Sequence, residues 1–89
     1  MQPGSYLVKV TGPRATEHTV EVPRGLSESV AGPGVSDADL VRESFLFLLE
    51  REPNTSILRT FSVEVIEDYF PEWSAEMSDR LGDESPPRT

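Results

Sequence analysis

Apolar and polar residues alternate over Ser5–Thr11, placing Tyr6, Val8 and Val10 on one face and Leu7 and Lys9 on the other. A period of two marks a strand with one covered face. Gly12-Pro13 requires a turn within Thr11–Glu17, after which Thr19–Val22 resumes the alternation with Val20 and Val22. The two segments read as an antiparallel hairpin whose Tyr6/Val8/Val10 face meets Val20/Val22. Two strands alone are marginal in water, so this hairpin must lie on other elements.

Beyond it the pattern lengthens to a helical period. Pro23–Val35 is rich in Gly, Ser and Pro, with at most one helical turn at Leu26–Val30 before Ala31-Gly32-Pro33-Gly34 stops it. Ser36 reads as an N-cap, with Asp37 and Asp39 in the first turn where the helix dipole favours carboxylates. From Asp37 to Glu52, Leu40, Val41, Phe45, Phe47, Leu48 and Leu49 cover more than half the circumference, and Leu46 falls outside even that arc. The second half of this central helix is therefore expected to be covered on nearly every side.

Pro53 ends it, because the residue before a proline disfavours helical geometry. Asn54 or Thr55 then caps a short helix running to Thr60. Ser62 caps another, Val63–Phe70, with Phe61 and Ile66 placed as a hydrophobic staple. Pro71 suits the first turn of a last helix carrying the stripe Trp73, Met77 and Leu81. Gly82 ends that helix, and 83–89 is expected to be a disordered tail. The chain thus reads as one small α+β domain over 1–82. An N-terminal β-hairpin packs on a small helical unit with one long central helix and two to three short helices.

Composition narrows the classes. A chain of 89 residues carries one domain with a thin stability margin. Its longest apolar stretch, Phe45–Leu49, is far short of the roughly 20 residues of a membrane-spanning helix. No basic region followed by an apolar block marks a secretory signal, and the absence of cysteine excludes disulfides and thiolate sites. A cytoplasmic location is the expectation. Sixteen acidic residues oppose eight basic ones for a formal charge of −8, and most of the acids lie at or beyond Asp37. Such a surface repels nucleic acid and phospholipid headgroups at long range and suits a basic protein partner.

The segment Phe45–Trp73, F-L-F-L-L-E-R-E-P-N-T-S-I-L-R-T-F-S-V-E-V-I-E-D-Y-F-P-E-W, resembles a group of small bacterial proteins. These carry a similar L-L-E-R-E-P-x-x-S-I-L-x-x-F element followed by I-x-x-Y-F-P-E and an aromatic. The resemblance spans about a third of the chain and leaves out the hairpin. It implies a shared architecture; no activity is attached to the group, and no functional residue carries over.

Catalytic signatures are few. His18 is the single histidine, so a zinc site would need carboxylates or a second subunit, and no G-x-S-x-G elbow surrounds any serine. The glycine-rich stretch before Ser36 lacks both G-x-x-x-x-G-K-[ST] and G-x-G-x-x-G, and it reads as a linker. Glu64 shares a helical face with Glu67 and Asp68, and Glu72, Glu76 and Asp79 repeat that spacing. Facing carboxylates are the ligand type that Mg²⁺ or Ca²⁺ requires, but solvated helices show the same spacing. The paired short helices mimic a helix-turn-helix, yet the reading helix would present Glu64, Glu67 and Asp68 to phosphates. Val63, Ile66, Tyr69 and Phe70 recur at helical spacing, and Tyr69, Phe70, Trp73 and Met77 are expected to be core, although an aromatic such as Trp73 ringed by acids also serves as an interface anchor.

The expectation from sequence is a non-catalytic, acidic protein-interaction module, an adaptor or accessory regulator with no cofactor. Its partner surface is placed on the C-terminal helices at Glu64, Glu67, Asp68, Glu72 and Trp73, facing an unidentified and basic protein. Homodimerisation is compatible with that reading; direct nucleic-acid or membrane binding is not expected. Two rivals come from other classes. One is a nucleic-acid mimic occupying the basic groove of a DNA- or RNA-binding protein. The other is a small metal-binding protein or enzyme that uses the helical carboxylates.

Overall fold

A computed structural model describes residues 4–81. Over those described residues the fold is α+β, with a three-stranded sheet in the order β1-β2-β3 lying on four helices. Strand β1 (Ser5–Val10) pairs antiparallel with β2 (Thr16–Glu21), and Tyr6 stands opposite Val20 and Val8 opposite His18. The inner face follows the alternation in the sequence: His18 and Val20 are buried, and Tyr6, Val8 and Val10 pack partly buried against the core. The second strand starts three residues earlier than its apolar pattern suggests, because Thr16 and His18 complete the register with polar side chains. Val22 lies just past the strand, where its N–H donates to the Gly4 carbonyl at 2.7 Å.

Gly25, at φ 80°, turns the chain out of β2 into α1 (Leu26–Ala31), a short helix where the sequence promises at most a single turn. Ser27 of α1 donates a hydrogen bond to Asp37 at 2.5 Å, fastening α1 to the start of α2 (Asp37–Leu49). Burial, with the Asp37 carboxylate beside it, raises the Tyr6 hydroxyl above the ordinary phenol range. The cap expected at Ser36 is made: the Asp39 N–H donates to Ser36 Oγ at 3.1 Å. Helix α2 is central. It buries Leu40, Val41, Ser44, Phe45, Phe47 and Leu48. It ends at Leu49, three residues before the expected Glu52, as the N–H groups of Arg51 and Glu52 both turn back to the Leu48 carbonyl. Its second half is not covered all round, for Leu46 and Leu49 stand 45% and 37% exposed.

The largest departure comes after Pro53. The expected helix to Thr60 is only a 3₁₀ turn, Asn54–Ser56, and the chain then extends into β3 (Thr60–Ser62). This strand lies parallel to β2 with Val20 beside Phe61, so the connection must cross over, and α1 and α2 supply the crossover. Ser62 is not the N-cap its sequence suggests: its side chain makes no capping bond, and its Oγ is buried without a partner among the described residues. A 3₁₀ turn at Val63–Val65 leads into the short α3 (Ile66–Tyr69), and the chain closes with α4 (Trp73–Leu81). Trp73 and Met77 of α4 are buried against α2, and Leu81 packs at the margin of the core, as their stripe predicts. The expected stop at Gly82 and the tail 83–89 lie outside the described residues.

Candidate functional site

The sequence places a partner surface on Glu64, Glu67, Asp68, Glu72 and Trp73. Glu64, Glu67, Asp68 and Glu72 are exposed. Two of them have local partners: Glu67 accepts from the Ser74 hydroxyl at 2.7 Å, and Glu72 pairs with Arg51 Nε at 3.5 Å. Trp73 is a correction. It is 1% exposed, its indole N–H donates to Ser44 Oγ at 3.0 Å, and the Ser44 hydroxyl points on to Met77 Sδ. A tryptophan held this way is core and offers no ring to a partner. Among the described residues no group of three or more His, Asp or Glu side chains is gathered as a metal ion would need.

What the C-terminal side does offer is a groove of about 210 Å³ between the Asn54–Ser56 turn, β3 and α3. Its floor includes Leu48, Ile57, Phe61 and Ile66, and Glu52 is the one charged residue in its lining. Leu58 and Tyr69 form lips that are 50% and 67% exposed. The acids at 64, 67 and 68 alternate along the chain with the lining residues Val65, Ile66 and Tyr69. Sequence reasoning puts Tyr69 in the core because it continues the Val63/Ile66 spacing. The stripe fails because α3 stops after one turn and Phe70 leaves helical geometry at φ −132° before Pro71.

Beside this groove the seam between α2 and α4 is closed by two arginines. Arg51 lies over the Phe47 ring at 3.6 Å from its centroid and donates to the Phe47 carbonyl at 3.0 Å, capping the end of α2. Arg80 donates to both Glu50 oxygens at 2.9 and 3.1 Å and reaches Glu76 and Glu43 at 3.3 and 3.8 Å. Hydrogen bonding to Arg80 holds the Glu50 carboxyl below the usual carboxylate range, and the same bond raises Arg80. Long charged side chains thus cover an aromatic core residue that is itself fully buried.

His18 is structural. Its Nδ1 meets the Leu58 carbonyl at 2.7 Å, which can only accept, so Nδ1 carries the proton. Its Nε2 then accepts from the Thr16 hydroxyl at 2.8 Å, and Thr16 in turn accepts from Asn54 Nδ2 at 2.9 Å. The ring packs on Phe45 at 5.2 Å between centroids. This chain of bonds ties β2 to the Asn54–Ser56 turn and to the approach to β3, and it leaves neither ring nitrogen free for a ligand. Above it Arg14 and Arg59 line a cleft of about 290 Å³ that contains no carboxylate.

Comparison with protein families, with curated proteins and with solved structures finds no match. No helix among the described residues is long and apolar enough to cross a membrane.

Proposed function

We propose that this chain is a non-catalytic interaction module that receives a basic, amphipathic segment of a partner protein on its acidic C-terminal side. The observation that carries the reading is the apolar groove under Leu58 and Tyr69, whose lips are exposed on a chain of formal charge −8. Large apolar side chains standing in water around a concave floor are what an interface core requires, and the surrounding acids supply a polar rim. Glu52, Glu64, Glu67 and Asp68 select for positive charge and speed encounter, whereas Tyr69 and Leu58 hold the bound segment.

The test is affinity capture of the tagged chain from its own cells at moderate salt, followed by reconstitution with the purified partner. Tyr69→Ala with Leu58→Ser abolishes a stoichiometric complex, and charge reversal at Glu64, Glu67 and Asp68 weakens it with a reduced salt dependence. A complex indifferent to both sets of changes sinks the proposal.

A further inference from the structure

The flank of α2 opposite the arginine seam carries a second surface of different chemistry. A cleft of about 570 Å³ runs between α2 and β1, and every residue from Tyr6 to Thr11 lines it. Consecutive strand residues point to opposite faces. All of them line one cleft only where the cleft runs along the backbone edge of the strand. The sheet order agrees with that placement: β1 is an edge, and no residue of β2 contributes to the lining. The facing wall is a helical stripe of Val41, Phe45, Leu46 and Leu49, in which Leu46 and Leu49 are substantially exposed.

The two walls match in length. From Tyr6 to Thr11 a strand advances about 17 Å at about 3.3 Å per residue. From Ala38 to Leu49 the helix rises about 16 Å at about 1.5 Å per residue. The edge carries no proline and a single charge, Lys9, so little discourages another strand from pairing with it.

Charge decides the occupant. Lys9 and Arg42 are the only charged residues in the lining, and both are basic on a chain of charge −8. Arg42 makes no ion pair among the described residues, and Lys9 reaches only Glu17, at 3.9 Å with both side chains largely in solvent. A second copy would bring its own Lys9 into a cleft that already holds two basic groups. We propose that the β1–α2 cleft binds an extended protein segment of alternating apolar and acidic residues, added as a fourth strand on the free edge of β1. Its main chain pairs with β1, alternate apolar side chains enter against Phe45 and Leu46, and its carboxylates meet Lys9 and Arg42. This proposal stands independently of the acidic groove, since the two surfaces share no lining residue and favour opposite charge.

The experiment is selection of random ten-residue peptides by display on the full chain, with the selected peptides mapped by amide chemical shift and hydrogen exchange. The expected peptides alternate apolar residues with at least one carboxylate, and they shift and protect amides within Ser5–Val10. N-methylation of alternate peptide amides leaves side chains intact and abolishes binding on unaltered protein. The double variant Lys9→Glu/Arg42→Glu, with an otherwise unchanged spectrum, weakens binding at least tenfold. Three results overturn the proposal: no enriched peptide; peptides that are basic and map to Leu58 and Tyr69; or β1 amides already protected in the free chain by a concentration-dependent dimer. The second of these leaves the acidic-groove reading standing, and the expected result with no partner at the acidic groove leaves this one standing.

Discussion

Helix α2 is closed along its α4 flank and open along its β1 flank. On the closed flank Phe47 is covered by Arg51 and approached by Arg80, and those arginines answer Glu43, Glu50, Glu72 and Glu76. On the open flank Leu46 and Leu49 stand in water and Arg42 has no acidic partner among the described residues. Both flanks begin from the same material, an apolar helix with charged neighbours. The difference shows that on this acidic chain arginine acts as a lid where the core is finished. Where no lid lies over apolar side chains, the surface remains available for docking.

The comparison is broken most severely at Trp73. Trp73→Ala removes a fully buried ring and the N–H donor to Ser44 Oγ, at a cost of about 3–5 kcal/mol. Against the thin margin of so small a domain, far-UV circular dichroism should report a largely unfolded chain at about 37 °C. His18→Ala comes next, at about 2 kcal/mol, because it leaves the Leu58 carbonyl and the Thr16 hydroxyl without their partner; a urea midpoint measures it.

On the closed flank Arg80→Met keeps much of the apolar stem and leaves Glu43, Glu50 and Glu76 facing one another. The loss is about 1 kcal/mol, since solvent screens most of the pairing, and it shrinks in high salt. The acid limb of the stability curve reads the same seam. Glu50 titrates lower when folded, so its contribution is complete above the unfolded carboxylate range and disappears as pH falls through the folded value. Glu50→Gln therefore flattens thermal melting against pH in that window. The smallest effect belongs to the open flank: Leu46→Ser with Leu49→Ser changes stability by no more than about 0.5 kcal/mol while removing any segment bound against β1.

The hairpin is legible because Tyr6, Val8 and Val10 alternate, and the central helix because Ser36 and Pro53 bracket an apolar run. The third strand is not. Thr60–Ser62 is too short to show a period, and its pairing with β2 is set by chain 41 residues away, as Val20 beside Phe61 illustrates. The cap-like Asn54 and Thr55 argue for a helix to Thr60, and the tertiary register cuts it to a 3₁₀ turn; the helical geometry expected after Ser62 does form over 63–69, without a capping bond from the Ser62 side chain. Four of the five site residues expected from sequence, Glu64, Glu67, Asp68 and Glu72, lie on the surface, because isolated carboxylates rarely go elsewhere. Trp73 is ambiguous by spacing alone; the Ser44 hydroxyl that receives its N–H, 29 residues earlier, is invisible as a partner. Leu58 and Tyr69 escape a sequence reading because exposure of an apolar residue leaves no local mark.

The parallel pairing of β2 with β3 also sets a timetable for synthesis. The N-terminal hairpin is complete once Glu21 has been added, but the strand that flanks it on the inner side comes only with Ser62, after both crossover helices. At about 5–20 residues per second, the ribosome leaves the hairpin without its neighbour for several seconds. A nascent chain arrested before Thr60 therefore displays two unsupported sheet edges at once, and the arrival of Thr60–Ser62 is the event that reduces them to one.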